Sequence, residues 1–143
     1  MSEQDASRYL LFTLRDSPYA IDLQQVAEVI EPPPLCPIPR APAHFIGAMN
    51  SHGNIKPVLD LALMLNQGRC SPAPKVMVLE DRLANLAIQV DGVLAIISTE
   101  GMEMKAAGSD DGLGDSVFTD GEREIALLNL DRLLQRLEAT IND

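Results

Sequence analysis

Tryptophan is absent from this 143-residue chain, and three phenylalanines and two tyrosines supply all its large aromatic area. Apolar residues make up 46% of it, so a core has to be built from Val, Ile, Leu and Ala. Basic residues are scarce too. Eleven Lys and Arg stand against 21 Asp and Glu, for a formal charge of −10. A phosphate-backbone binder needs a basic patch, so nucleic acid is excluded as a partner. No apolar run reaches bilayer-spanning length, which argues against direct membrane insertion. The opening MSEQDASRYL is polar and acidic and has no signal-peptide core. A soluble cytosolic protein is expected. Cysteine is limited to Cys36 and Cys70, without CxxC spacing. They read as two free thiols in a reducing compartment; a Cys36–Cys70 disulfide is the alternative, though no feature asks for it.

What is present is a succession of short strands. Residues 9–14 are an apolar run rich in strand formers, and residues 19–23 alternate, with Tyr19, Ile21 and Leu23 on one face. Asp16-Ser17-Pro18 between them is turn chemistry and predicts a hairpin. Residues 45–50 and 55–59 flank Ser51-His52-Gly53-Asn54 and predict a second one. Further strands are expected at 26–30, 76–79, 86–90, 93–97 and 125–130. Pro57 lies inside an apolar run, so that strand is an edge or Pro57 sits at a non-bonded position. Two short helices are predicted, capped by Asp60 and Asp131. Residues 32–42 carry six prolines and form an extended connector along the surface of the domain. Residues 108–115 read as a flexible, solvated loop rather than a calcium site, because EF-hand spacing is missing. Residues 1–7 are expected to be a disordered tail ahead of one domain over 8–141.

The chain echoes itself. YAIDLQQVAEVI (19–30) aligns without gaps on LAIQVDGVLAII (86–97), and the same offset lays residues 9–12 over 76–79. Asp60 falls over Asp131 at a slightly larger offset. Such an echo implies two similar β units, two small barrels packed on each other.

Catalysis finds little support. His52 and Asp60 are separated by eight residues, about 26 Å along an extended strand, which rules out a general-base pair within it. No cluster of His, Cys or carboxylates has metal-ligand spacing, and no GxxxxGK loop or nucleophile elbow appears. His44 reads as a surface or strand-entry residue. No enzyme activity, cofactor or metal is expected. At the hairpin tip, Asn50 and Gly53 supply turn geometry, while Ser51, His52 and Lys56 are left to meet a partner. Alternation in 26–30 puts Val26 and Glu28 on one face, so one of that pair faces solvent or a partner.

Several pieces recur in order along the chain: Phe12-Thr13-Leu14, Tyr19-Ala20-Ile21-Asp22, Val26-x-Glu28-Val29, Gly47-x-x-Asn50, Gly53-x-Ile55-x-Pro57-x-x-Asp60-Leu61, Val90-Asp91-Gly92-Val93 and Leu130-Asp131-x-Leu133-Leu134. In order and spacing this set resembles the CheW family, scaffold proteins of bacterial chemosensory arrays, over residues 8–137. The resemblance implies a mainly β fold of two packed, five-stranded SH3-like β-barrels with a short mid-chain helix and a C-terminal helix. It implies a non-catalytic cytoplasmic chemotaxis adaptor at membrane-associated receptor arrays. Such an adaptor binds the regulatory domain of a CheA-type histidine kinase and the cytoplasmic tip of a chemoreceptor. Carried onto this chain, the receptor side falls at Val26, Glu28, Asn50 and His52, and the kinase side at Ile55, Val58 and Leu59. Alternatives are an adaptor of a non-flagellar, twitching-type pathway, or a small β-barrel ligand-binding protein or enzyme using the inter-barrel groove. Two departures mark a divergent member. Where the family has Asn-Leu-Arg-Gly, this chain has Asn50-Ser51-His52-Gly53, a smaller and weaker cation in place of a forked, permanent one. The proline-bearing stretch that often follows the strand at 93–97 is missing.

Overall fold

Strands β1 (Arg8–Leu14) and β2 (Ser17–Asp22) form an antiparallel hairpin, with Leu14 opposite Ser17 and Tyr9 opposite Asp22. Its tip is Arg15-Asp16, both at positive φ (52° and 70°). That is the turn handedness a twisted two-residue hairpin prefers. Arg15 N–H is held by Asp91 Oδ2 at 2.5 Å. These observations come from a computed structural model, which describes residues 8–65, 73–106, 114, 116–121 and 123–141. The expected tail at 1–7, Cys70 and most of the loop at 108–115 lie outside the described residues; Cys36 is an exposed free thiol.

After a 3-10 turn (Leu23–Gln25) come β3 (Val26–Ile30), β4 (Phe45–Ser51), β5 (Asn54–Asp60) and helix α1 (Leu61–Met64). Then follow β6 (Lys75–Leu79), β7 (Ala87–Val90), β8 (Gly92–Ser98), β9 (Glu103–Ala106), β10 (Ser116–Asp120), β11 (Arg123–Leu127) and helix α2 (Leu130–Ile141). The chain is mainly β, in two sheets. One has six strands rather than five, in the order β8-β1-β2-β11-β10-β9; the other has five, β3-β6-β7-β5-β4. The strands the sequence did not announce are β9 and β10. Every β9 residue is exposed, so it carries no apolar alternation, and β10 has one buried anchor, Phe118.

The internal echo is visible in the connectivity. Each half forms a three-strand run and lends its third strand to the other sheet: β3 pairs with β6, and β8 pairs with β1. The later hairpin strand of each half then pairs in parallel with the other half, in the sheet that received its third strand: β5 on β7 and β11 on β2. A hairpin strand and a helix follow the same order in both halves, β5 into α1 and β11 into α2.

Burial explains the apolar runs. On β1, Leu10, Phe12 and Leu14 face a cluster shared by both sheets and both helices, while Leu11 faces a second cluster with Ala20, Phe118 and Ile125. A strand covered on both faces needs apolar residues at every step. A third cluster, Met49, Val58, Val76, Val78 and Ala87, fills the five-stranded sheet. Each fully buried Leu, Ile or Phe stabilises by about 1.5–3 kcal/mol. The shared cluster is the largest of the three, so it dominates. The few aromatics pair up: Phe12 stacks on Tyr19 at 5.6 Å and Tyr9 meets Phe118 edge-on at 4.9 Å.

The proline-rich connector is a strap. Cys36 exchanges both main-chain hydrogen bonds with Ala48 (2.9 and 2.7 Å), and Leu35 packs into the third cluster. Gly47 makes this approach possible: a Cβ there would lie 2.8 Å from Leu35 Cβ, at φ +153°. The strap also explains Pro57. It sits in an interior strand opposite Ala48, whose bonding groups are committed to Cys36, and the pairing of β5 with β7 starts one residue later, at Val58. Asp60 caps α1 by accepting Leu63 N–H at 3.0 Å. At α2 the capping residue is Asn129, which accepts Arg132 N–H at 3.1 Å; Asp131 lies inside the first turn, so the expected cap shifts by two positions.

Candidate docking surface at the β4–β5 hairpin

The hairpin turns on His52 and Gly53, at φ 52° and 89°, with Ser51 opposite Asn54. Both central residues are left-handed, as a two-residue hairpin of this hand demands. Gly53 adopts that shape freely; His52 does so at a steric cost of about 1–2 kcal/mol. Asn50 Oδ1 accepts Gly53 N–H at 3.0 Å, which fixes the turn from within. The His52 side chain is 81% exposed, and its Nε2 lies 3.0 Å from Glu28 Oε2.

That contact spans the sheet. Glu28 is on β3 and His52 ends the β4–β5 hairpin, yet β3 and β4 are the two outer edges of the five-stranded sheet. The sheet therefore curls until its edges approach at this end. A bulge between Val26 and Glu28 marks where β3 bends, and Glu28 then sits opposite Val78. Three of the residues expected on the receptor side, Glu28, Asn50 and His52, are thus gathered at one tip. Val26 is different: it is half-buried against the shared cluster.

Two residues expected to be free at the tip are not. Ser51 is buried, and Lys56 is only 2% exposed. Lys56 points into the five-stranded barrel opposite Met49, and its ammonium is paired with the Asp81 carboxylate. On the expected kinase side, Ile55 is 62% exposed, whereas Val58 and Leu59 are fully buried. Strand β5 is interior and covered on both faces, so Val58 belongs to the third cluster and Leu59 to the shared one. Their side chains face no partner, which corrects that assignment and leaves Ile55.

His52 and Asp60 stand at opposite ends of β5, and Asp60 is engaged at α1. Among the described residues no group of three or more His, Cys, Asp or Glu is placed to hold a metal ion, and no helix is long and apolar enough to cross a membrane. His44, at the entry to β4, is half-buried with its ring 5.1 Å from Phe45. Its buried Nε2 has no hydrogen-bond partner among the described residues. Burial, and then the Arg136 cation, hold its pKa below the ordinary histidine value.

Sequence reasoning missed exposed apolar side chains on edge strands, Leu94 and Ile96 on β8 and Met104 on β9, which join Val29 on β3. The echo carried a signal for them, since Val29 and Ile96 are equivalent positions in its two copies. It also missed Asp81 and Asn85, exposed polar residues in the turn after β6. Nothing in their local sequence distinguishes them; only the fold brings them to β5.

The comparisons with known proteins bear on the family and the fold. The family model for the CheW-like domain matches residues 8–138. The chemotaxis protein CheW of Thermotoga maritima is 27% identical over 134 residues, 90% of this chain and 87% of that protein. The probable chemotaxis protein CheW of Rhizobium etli is 25% identical over 91 residues, 62% of this chain, and the match spans 59% of that relative's own length. Among solved structures, the scaffolding protein TtCheW from Thermoanaerobacter tengcongensis shares the fold, with a TM-score of 0.75 at 22% identity, over 87% of this chain and 85% of that one.

Proposed function

The chain belongs to the CheW-like domain family, and we propose that within this family of chemotaxis scaffolds it acts as a non-catalytic, cytoplasmic adaptor. In this reading it couples chemoreceptors to a CheA-type histidine kinase by binding the receptor's cytoplasmic tip and the kinase's regulatory domain. It needs no cofactor, and it reaches the membrane through the receptor array rather than by insertion. One observation carries the reading: Glu28, Asn50 and His52, from two strands far apart in sequence, converge on an exposed tip braced by the 3.0 Å Glu28–His52 contact. Exposed polar groups brought together on a rigid hairpin suit a small interface that gains strength from multiplicity in an array. Ile55, exposed beside this tip, is the apolar anchor on the kinase side.

The test is direct. Purified protein titrated into the regulatory domain of its cognate kinase should give a saturable heat signal by calorimetry, and a receptor-tip fragment should bind without displacing that domain. No detectable complex with the kinase domain at high-micromolar protein overturns the reading.

A further inference from the structure

Lysine is almost never fully buried unless it is paired. Lys56 is buried inside the five-stranded barrel at a position that faces Met49, and its counter-charge, Asp81, is 67% exposed on the turn formed by residues 80–86. The pair is lopsided. Asp81 can exchange its partner for water, but Lys56 cannot follow it out. With the turn displaced, an ammonium stays buried without its counter-ion, a costly arrangement. The turn is therefore either closed on Lys56 or open at a penalty, with little between.

The same turn is bonded on two sides. Toward β5, Asn85 Nδ2 donates to the Ile55 carbonyl at 2.9 Å, beside the Lys56–Asp81 pair. Toward β3, Glu80 N–H donates to the Gln25 carbonyl at 3.0 Å and Arg82 Nη2 to the Gln24 carbonyl at 3.2 Å. Gln24 and Gln25 lead straight into β3, one bulge ahead of Glu28. The turn is itself closed by Leu83 N–H and Ala84 N–H, both donating to the Glu80 carbonyl. Glu28, His52, Lys56, Asp81 and Arg82 all line one depression of about 180 Å³ between these elements.

We propose that the 80–86 turn is the mechanical link from Ile55 to Glu28 on β3, beside the direct pairing of Ile55 with Asn50 on the hairpin, and that Lys56 is its positioning residue. This rests on the reading of Ile55 and of Glu28–His52 as kinase and receptor surfaces. A partner pressing on the Ile55 main chain loads Asn85 and Asp81. The turn passes that load to Gln24 and Gln25, and the bulge before Glu28 is where β3 yields. Linkage then makes the effect reciprocal: receptor docking at Glu28–His52 changes affinity at Ile55 by the same factor.

The experiment uses the full chain and Lys56→Met, which keeps side-chain length and suits the apolar barrel interior. In the free protein, amide exchange at Glu80 should accelerate by about tenfold or more in Lys56→Met as the turn opens more often. The amides of the β10–β11 hairpin, in the other sheet, should stay as they are. In the complex, saturating kinase regulatory domain should change the parent's affinity for a receptor-tip fragment by about fivefold or more. In Lys56→Met each partner alone should bind as it does to the parent, while that coupling factor falls to about half or less, the remainder being what the Asn50–Ile55 pairing carries. A merely structural lysine would move the two binary affinities together and leave their ratio intact. Should Lys56→Met fail to fold, Asp81→Asn on the exposed turn opens the same latch and should give the same exchange and coupling results. Unchanged Glu80 exchange, an uncoupled parent, or coupling undiminished by the substitution each overturns the link while the docking reading stands. A parent that binds neither partner overturns both.

Discussion

Replacing His52 by glycine separates docking from stability at the hairpin tip. His52 holds φ at 52°, a left-handed conformation. Glycine there relieves about 1–2 kcal/mol of steric cost. Against this, the more flexible unfolded chain costs about 0.4–1 kcal/mol. Losing the contact to Glu28 costs a further 0.2–1 kcal/mol or so, because that pair is exposed on both sides. These terms nearly cancel, so His52→Gly should leave the unfolding free energy within about 1 kcal/mol of the parent in a urea titration. Docking should behave differently. If the imidazole meets the receptor tip, a hydrogen bond to a charged partner is lost, worth about 1.5–3 kcal/mol, or roughly a 10- to 100-fold weaker complex. The companion variant His52→Arg keeps the strained φ but installs a forked, permanent cation that spans Glu28 and the partner together, and it should bind at least as tightly as the parent. Calorimetry with a receptor-tip fragment reads both. If the two variants bind within about twofold of the parent, a difference of only ~0.4 kcal/mol, the tip is not the recognition element and the docking argument fails.

Three further outcomes follow from the geometry. Gly47→Ala places a Cβ against Leu35 and the Cys36 carbonyl, so it should lower stability by about 2–5 kcal/mol, strain and overpacking combined. Gly53→Ala, at positive φ but with nothing within 4 Å, should cost only the smaller strain part, and equal losses in thermal unfolding would refute the strap. Ile55→Asp should weaken the kinase complex and leave the fold intact, whereas Val58→Asp should unfold the protein, as seen by circular dichroism; a soluble, folded Val58→Asp would refute the burial assignment. For pH, the His44 pKa is depressed in the fold by burial and then by Arg136. Below the unfolded value of about 6.5 the unfolded chain binds the proton more readily, so this stability is whole above that pH and is lost as pH falls through the folded pKa. Between about pH 7.5 and pH 5 the parent should therefore lose more stability than His44→Gln, and parallel curves would refute the assignment.

The strands most legible in the sequence were those buried on one or both faces, because burial imposes the apolar pattern that period-two reading detects. Residues 9–14 and 76–79 were visible for that reason, and β9, exposed throughout, was not. The gapless echo made the repeated connectivity readable. It did not tell which sheet each third strand would join, since an apolar strand reads alike on either edge. Pattern failed at Lys56 and Val58 in opposite ways. A lysine next to a turn reads as solvated, and its burial depends on Asp81, twenty-five residues away. Pro57 left two readings open, an edge strand or a non-bonded position, and the second holds: Ala48 opposite it bonds outward to Cys36 and the pairing with β7 starts at Val58, so β5 lies inside the sheet. Glu28 and His52 were each readable, and their 3.0 Å contact was not, because it is made by sheet curvature rather than by any local motif.

The exchange of third strands has a consequence for where function can sit. Glu28 is carried by a strand from the first half of the chain that is held in place by β6 from the second. His52 comes from the first half alone, and the turn bonded to Gln24, Gln25 and Ile55 comes from the second. The tip is therefore assembled only when both halves have folded around the shared cluster. An adaptor built from two independent barrels would carry each docking surface on its own unit, and one surface would be blind to the other. Here Ile55 on interior β5 and Glu28 on edge β3 share one sheet whose strands come from both halves, and side-chain and main-chain hydrogen bonds from a single turn reach Ile55 on one side and Gln24 and Gln25 on the other. Packed cores are bistable rather than continuously deformable, so a small displacement at one edge is passed on instead of being absorbed locally. That property requires no catalytic group. It requires a stiff sheet with a soft point beside the tip, and the bulge between Val26 and Glu28 supplies one.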